Sequence, residues 1–251
     1  MTTEQSNFPK WSMAVDTDRC TGCQACIIAC QEENNIPLNT PDIFKQRRAV
    51  VWIRVERYWE LPEGEDADDP SKVKARFLPL MCQHCDNAPC EPVCPVYATY
   101  HNMEGLNVQI YNRCIGTRYC ANNDPYNVRF FNFWQPVWPE SMQNQLNPDV
   151  SIRSRGVMEK CTFCVQRIRR GERTAKFQGR RVKDGEIQPA CVQTCPTNAL
   201  VFGDINDPES KVHKLKEHPR HYRLLADLGT GPNVIYLARV DPNAVEKPGH
   251  E

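Results

Sequence analysis

Cys20, Cys23, Cys26 and Cys30 stand at the spacing C-x-x-C-x-x-C-x-x-x-C. Three thiolates presented by one such tight loop can grip three corners of an iron–sulfur cube while the fourth reaches a neighbouring cluster, so clusters held this way come in pairs. The other cysteines of the fourteen fall into three more runs: Cys82, Cys85, Cys90 and Cys94; Cys114 and Cys120; and Cys161, Cys164, Cys191 and Cys195. "CQHCDNAPCEPVCP" keeps the pattern with a slightly longer middle loop. "CTFC" followed by "CVQTCP" is the same device opened by a basic insertion, and in the first run Gln31 replaces the proline.

Two other uses of cysteine compete. Disulfide frameworks belong to short secreted chains, and cysteines two or three residues apart in a tight loop rarely meet disulfide geometry. Zinc is the rival metal, because paired C-x-x-C elements build structural zinc sites. It leaves unexplained the added fourth cysteine three residues on, before proline.

The third run is two thiols short. In "CIGTRYCANNDPY", residues 114–126, Thr117 and Asp124 stand where the phase of the other runs puts cysteine. Pairing the runs assigns Cys82, Cys85, Cys90 and Asp124 to one cluster, and Cys94, Cys114, Cys120 and position 117 to its neighbour. A threonine hydroxyl is a poor, normally protonated ligand, whereas a carboxylate is an anionic hard-oxygen donor. The pattern therefore predicts a 3Fe-4S cluster on Cys94, Cys114 and Cys120 with the Thr117 corner empty, and a 4Fe-4S cluster at the Asp124 site. The competing reading makes Asp124 a turn former before Pro125.

The elements that must position these loops repeat with them. "DTDRCTGCQAC" is echoed by "IYNRCIGTRYC", and "CPVYAT" at 94–99 by "CPTNAL" at 195–200. The expected fold class is α+β: two ferredoxin-like iron–sulfur units with inserted loops and a C-terminal extension. Residues 10–30 plus 155–205 form a discontinuous first unit, 76–130 the second, 31–75 an insertion and 206–251 the extension. "MAVD", "LNVQIY", "ALVFGD", "AVVWIRVERYW" and "NVIYLARV" read as strands by alternation, with short helices after Cys26 and Cys120. "LPEGEDADDPSK" reads as an acidic surface loop, "SKVHKLKEHPRHYRLLADLG" as a polar helical segment, and the end as a polar tail.

Composition excludes more than it selects. With 251 residues, 40% hydrophobic and 25% charged, the chain can bury a core. Lys plus Arg equals Asp plus Glu at 31 each, so net charge gives no argument for nucleic acid. No stretch approaches the roughly 18 apolar residues of a membrane span, and "MTTEQSNFPKW" lacks the features of a secretory signal. Neither a G-x-G-x-x-G after a strand nor a P-loop is present.

The chain resembles the four-cluster iron–sulfur subunits of membrane-bound molybdopterin-type respiratory complexes. "LMCQHCDNAPCEPVCPVYATYHNMEGLN", "NRCIGTRYC" and "RSRGVMEKCTFCVQRI" carry the resemblance, which is greatest to the iron–sulfur subunits of alternative complex III and of the related menaquinone reductase complex. It implies one cluster on Cys20, Cys23, Cys26 and Cys195 and a second on Cys30, Cys161, Cys164 and Cys191. With the pair above, that makes three 4Fe-4S clusters and one 3Fe-4S cluster. Implied partners are a large molybdopterin-family subunit, a quinone-binding integral membrane subunit and often a multihaem cytochrome c. The Thr117 cluster would sit nearest the membrane. Sequence alone defaults to the cytoplasmic side, whereas the resemblance favours the periplasmic side, through export with a signal-bearing partner.

The expected function is electron transfer without a catalytic site, relaying electrons through four clusters to or from menaquinone. Alternatives are the iron–sulfur subunit of a polysulfide- or dimethyl sulfoxide-type reductase, a stand-alone polyferredoxin and, from a different class, a zinc-stabilised interaction module. "YNVRFFNFWQPVWP" at 126–139 could dock on the membrane subunit or serve as core. The basic stretch from Lys160 to Lys183 is expected to form a solvated or partner-facing helix, and His84 to lie at the surface.

Overall fold

The computed structural model describes residues 8–61, 64 and 69–240. The polar tail after 240, and most of the acidic stretch from 62 to 68, lie outside the described residues. In chain order the elements are β1 (Trp11–Asp16), α1 (Ala25–Glu33), α2 (Pro41–Lys45), β2 (Ile53–Glu60), β3 (Lys74–Met81), β4 (Thr99–His101), β5 (Asn107–Gln109) and α3 (Tyr119–Asn122). There follow β6 (Arg129–Phe131), β7 (Met158–Lys160), α4 (Val165–Phe177), α5 (Ala190–Gln193), β8 (Leu200–Asp204), α6 (Lys211–Lys216), β9 (His221–Tyr222) and β10 (Val234–Leu237). The protein is a mixed α and β structure with short elements and long connections.

Four strands form one sheet in the order β8-β1-β10-β9, with β1 parallel to β10 and the other pairs antiparallel. β10 reads "VIYL" without alternation and is buried throughout. A continuous apolar run is what a strand covered on both faces requires. β1 sets Met13 against Phe202 and Val15 against Leu200, while α6 covers the far side through Val212, which packs with Ala14, Ile205 and Ile235. Besides a single 3-10 turn at Ala226–Leu228, the polar segment predicted from residue 210 is α-helical only over Lys211–Lys216, capped by Ser210 accepting from the His213 N–H. Pro219 lies just beyond, and a residue before proline is driven out of the helical region. The chain instead turns into β9 along the edge of β10.

Three two-stranded pairs complete the frame: β2-β3, β4-β5 and β6-β7. β2 and β3 are the predicted strand of the insertion and its partner, in register from Ile53 with Met81 to Glu60 with Lys74. Their inner end is buried while Tyr58 and Trp59 at the outer end are exposed.

The internal repeat is visible in backbone geometry. Cys20 and Cys114 each follow a strand and lead through a left-handed glycine, Gly22 (φ +72°) and Gly116 (φ +74°), to a left-handed residue before a helix, Gln24 (φ 63°) and Arg118 (φ 62°). Cys94 and Cys195 are each followed by a left-handed residue, Tyr97 and Asn198, both at φ 51°. The next alanine in each case accepts a strand hydrogen bond: Ile110 N to Ala98 O at 2.7 Å and Asp16 N to Ala199 O at 2.8 Å. The principal core is continuous and includes eight of the cysteines among its buried side chains: Cys26, Cys30, Cys82, Cys85, Cys90, Cys120, Cys161 and Cys191. Packing side chains and candidate ligands therefore share one interior.

Candidate metal centres

The fourteen cysteines are unbridged, and tertiary packing gathers them into groups that join distant runs. Burial pushes the Cys26 thiol up to about 12, and its neighbours Cys20, Cys195 and Cys23 push the same way. Burial likewise holds Cys30 well above the ordinary thiol range, with Cys161, Cys164 and Cys191 around it. Cys85 and Cys90 are raised by burial to about 12 and about 11, and both have Cys82 and Asp124 as neighbours. Burial raises Cys120 against the pull of Arg129, with Cys114 and Cys94 beside it.

Electrostatic influence also links the four groups in series. Cys191 has Cys26 of the first group as a neighbour, Cys161 has Cys82 of the third, and Arg129 stands beside both Cys90 and Cys120.

Thiols crowded together out of water resist ionising, and a cationic metal core among them reverses that resistance. The donor set therefore fits iron–sulfur clusters. Cys82, Cys85, Cys90 and Asp124 line a single small cavity, together with Asn107 and Arg129. Among the described residues no three His, Cys, Asp or Glu side chains converge tightly enough for one bare metal ion.

Backbone amides are aimed at several of the sulfurs. Ala98 N and Ala199 N donate to Cys94 Sγ and Cys195 Sγ at 3.2 and 3.3 Å. Against their burial, the Thr197 hydroxyl at Cys195 and these and adjacent N–H groups at both hold the two thiols below the ordinary range. Met158 N donates to Cys114 Sγ at 3.4 Å, and Ala190 N to Cys164 Sγ at 3.5 Å. Hydrogen bonds to sulfur are among the features that set cluster potential.

A family profile described as a 4Fe-4S dicluster domain matches residues 73–138. The protein is 44% identical over 234 residues to the menaquinone reductase iron–sulfur cluster-binding subunit of Nitratidesulfovibrio vulgaris, covering 92% of this chain and 89% of that one. It is 37% identical to a putative dimethyl sulfoxide reductase iron–sulfur subunit of Halobacterium salinarum, over 90% of this chain and 78% of the relative. A polysulfide reductase chain of Wolinella succinogenes is 33% identical, over 91% of the present sequence and 94% of its own. The protein belongs to the iron–sulfur subunits of respiratory oxidoreductases. Its function as a member of that family is electron transfer.

Within this iron–sulfur subunit Asp124 serves the turn that was set against ligation. Its Oδ1 accepts from Tyr126 N at 3.1 Å and its Oδ2 from Val128 N at 2.8 Å. Burial nevertheless raises the carboxyl, and the same group faces Cys85 and Cys90. The two roles are compatible, because each carboxylate oxygen offers two lone pairs and the turn uses one on each.

His84 corrects the sequence reading. It is fully buried rather than at the surface, its ring stacked on Phe163 at 4.0 Å between centroids, and its Nδ1 accepts from Asn107 N at 3.1 Å. The two stacked residues occupy the same place in their loops: each is the third residue of a C-x-x-C, and both are left-handed (φ 45° and 54°). The stack thus forms where the Cys82–Cys85 and Cys161–Cys164 loops meet.

The basic stretch divides. Lys160 is buried, with Nζ donating to Cys161 O at 2.8 Å. Helix α4 turns Ile168 and Ala175 inward and most of its arginines outward. The aromatic stretch divides similarly, Tyr126 and Trp138 inside and Trp134 and Val137 outside. Sequence reading missed Asn34, whose Nδ2 lies 3.6 and 3.7 Å from Cys30 and Cys164 Sγ, and Arg129. Neither had a signal of its own in the spacing of the cysteines.

Proposed function

We propose that this subunit relays single electrons through four clusters between an active-site subunit and menaquinone in a membrane-bound respiratory complex. The supporting observation is that each set of loop thiols meets its partner from a distant run. The ligands assigned are Cys20, Cys23, Cys26 and Cys195; Cys30, Cys161, Cys164 and Cys191; Cys82, Cys85, Cys90 and Asp124, each set holding a 4Fe-4S cluster; and Cys94, Cys114 and Cys120, holding a 3Fe-4S cluster. Bound clusters would supply one-electron carriers spaced along the molecule. The residues do the rest: thiolates hold, amides stabilise added negative charge, and the buried core excludes water. The first and last pairs of groups belong to residues 10–30 plus 155–205 and to 76–130, read as two ferredoxin-like units.

Among the described residues no helix is long and apolar enough to cross a membrane, so quinone contact requires a partner. The proposed partners are a molybdopterin-family subunit, a quinone-binding membrane subunit and a multihaem cytochrome c, assembled on the periplasmic face after co-export. Exposed Tyr97, Ile115 and Tyr119 flank the Thr117 loop and suit that end for docking on the membrane subunit.

The test is iron quantification with low-temperature electron paramagnetic resonance on the oxidised, anaerobically purified complex, corrected for haem iron. The ligand count predicts about 15 irons and one 3Fe-4S signal. About 14 irons with two 3Fe-4S centres would leave Asp124 as a turn residue only, and a colourless preparation without iron would sink the reading. Gly116 supplies a second check. A Cβ there would lie 2.3 Å from Gly156 O at a φ of +74°, so the loop cannot close around an alanine. Gly116→Ala is expected to lose the 3Fe-4S signal and about three irons, with the other centres retained.

A further inference from the structure

We infer that Arg129 is a fixed counter-charge shared by the Cys82/Cys85/Cys90/Asp124 group and the Cys94/Cys114/Cys120 group, and that it raises the reduction potentials of both clusters. The inference rests on the four-cluster reading above. A guanidinium is always charged, and this one is 6% exposed at the start of β6. Its hydrogen bonds go to neutral acceptors: Gln109 Oε1 at 3.0 Å, Thr99 Oγ1 at 2.7 Å and Asn107 Oδ1 at 2.5 Å. Among the described residues it forms no ion pair. A buried charge left without compensation costs several kcal/mol.

The compensation available lies in the sulfurs. Arg129 lines the same small cavity as Cys82, Cys85, Cys90 and Asp124. β6 also packs on α3, which carries Cys120, and the Arg129 charge acts on both Cys120 and Cys94. Asn107, which fixes the guanidinium, also lies 3.8 Å from Cys90 Sγ. Reduction adds one negative charge to a cluster, and a nearby cation in a low-dielectric interior stabilises the reduced form more than the oxidised one. The other end of the molecule differs: Arg167 beside Cys164 is already paired with Glu33 at 2.6 Å. Lys160, paired with Arg129 across β6 and β7, is a second buried basic side chain, and its charge acts on Cys90.

The experiment is a redox titration of the intact complex followed by electron paramagnetic resonance, comparing wild type with Arg129→Gln, Arg129→Lys and Lys160→Met. Arg129→Gln is expected to lower both potentials, changing the reduced-to-oxidised ratio at fixed poise about tenfold, or about 59 mV for one electron. Arg129→Lys should keep both near wild type. Lys160→Met should lower the potential of the Asp124-site cluster. Unmoved potentials in Arg129→Gln with iron content and signals intact would overturn the inference, as would Arg129→Lys shifting as far as Arg129→Gln. If Arg129→Gln fails to assemble, the neutral Arg129→Met decides in its place by the same outcomes. A wild-type complex short of iron or lacking the 3Fe-4S signal would count instead against the four-cluster reading.

Discussion

Glu159→Ala is expected to destabilise the subunit by about 3–5 kcal/mol, the cost of leaving one partner of a buried ion pair alone. Glu159 and Arg153 are almost wholly buried, with Arg153 Nη2 2.9 Å from Glu159 Oε2. The carboxylate also accepts from Trp52 Nε1 at 3.1 Å and from Asn132 Nδ2. Arg153 in turn donates to Asn35 O at 3.0 Å and Ser151 O at 2.8 Å, and its guanidinium lies 5.0 Å from the centre of the Trp52 ring. One carboxylate thus ties together the segment after α1, the approach to β2, the segment after β6, and β7. The check is thermal unfolding of the iron-loaded protein, where the midpoint should fall by roughly 6–20 °C. Arg153→Met with Glu159→Leu should cost much less than the two single changes added, because the pair then leaves no orphan charge. A drop of only a degree or two for Glu159→Ala would show that water reaches the pair.

Thr117→Cys is expected to convert the proposed three-iron centre into a 4Fe-4S cluster, abolishing its oxidised-state signal and raising iron from the proposed count of about 15 to about 16 per protein. The geometry is favourable, since Thr117 occupies the place in its loop that Cys23 occupies in the first, between glycine and left-handed residues of matching φ. Both positions are exposed, so the exchange should change stability by less than about 0.5 kcal/mol. Iron analysis and electron paramagnetic resonance on the complex give the answer. Persistence of the three-iron signal in Thr117→Cys would mean that something other than a missing thiol keeps the corner empty.

Much of the chemistry was legible in the sequence. Residues three positions apart in a tight loop must face a common centre, because the backbone cannot carry them elsewhere, so C-x-x-C-x-x-C implies a metal core directly. The repeat was legible for the same reason: Gly22 and Gly116 mark identical turns that only a left-handed backbone makes. The strands around the cysteines followed from alternation and from the apolar run of β10. Less was legible in the polar segment beyond β8, where helical composition ran past the turn that Pro219 and the edge of β10 impose.

What the sequence determined by itself is the donor inventory, the local loops and the two positions, Thr117 and Asp124, that break the cysteine phase, all set by short-range covalent reach. Tertiary structure decided which distant runs face each other, as Cys195 does Cys20 and Cys30 does Cys161. It also buried His84 against Phe163, gave the Asp124 oxygens to a turn, and brought Arg129 between two groups of thiols. Such placements depend on how sheets and loops pack across more than a hundred residues. Spacing in a sequence carries no information about which side of a strand will meet which sulfur once the core closes.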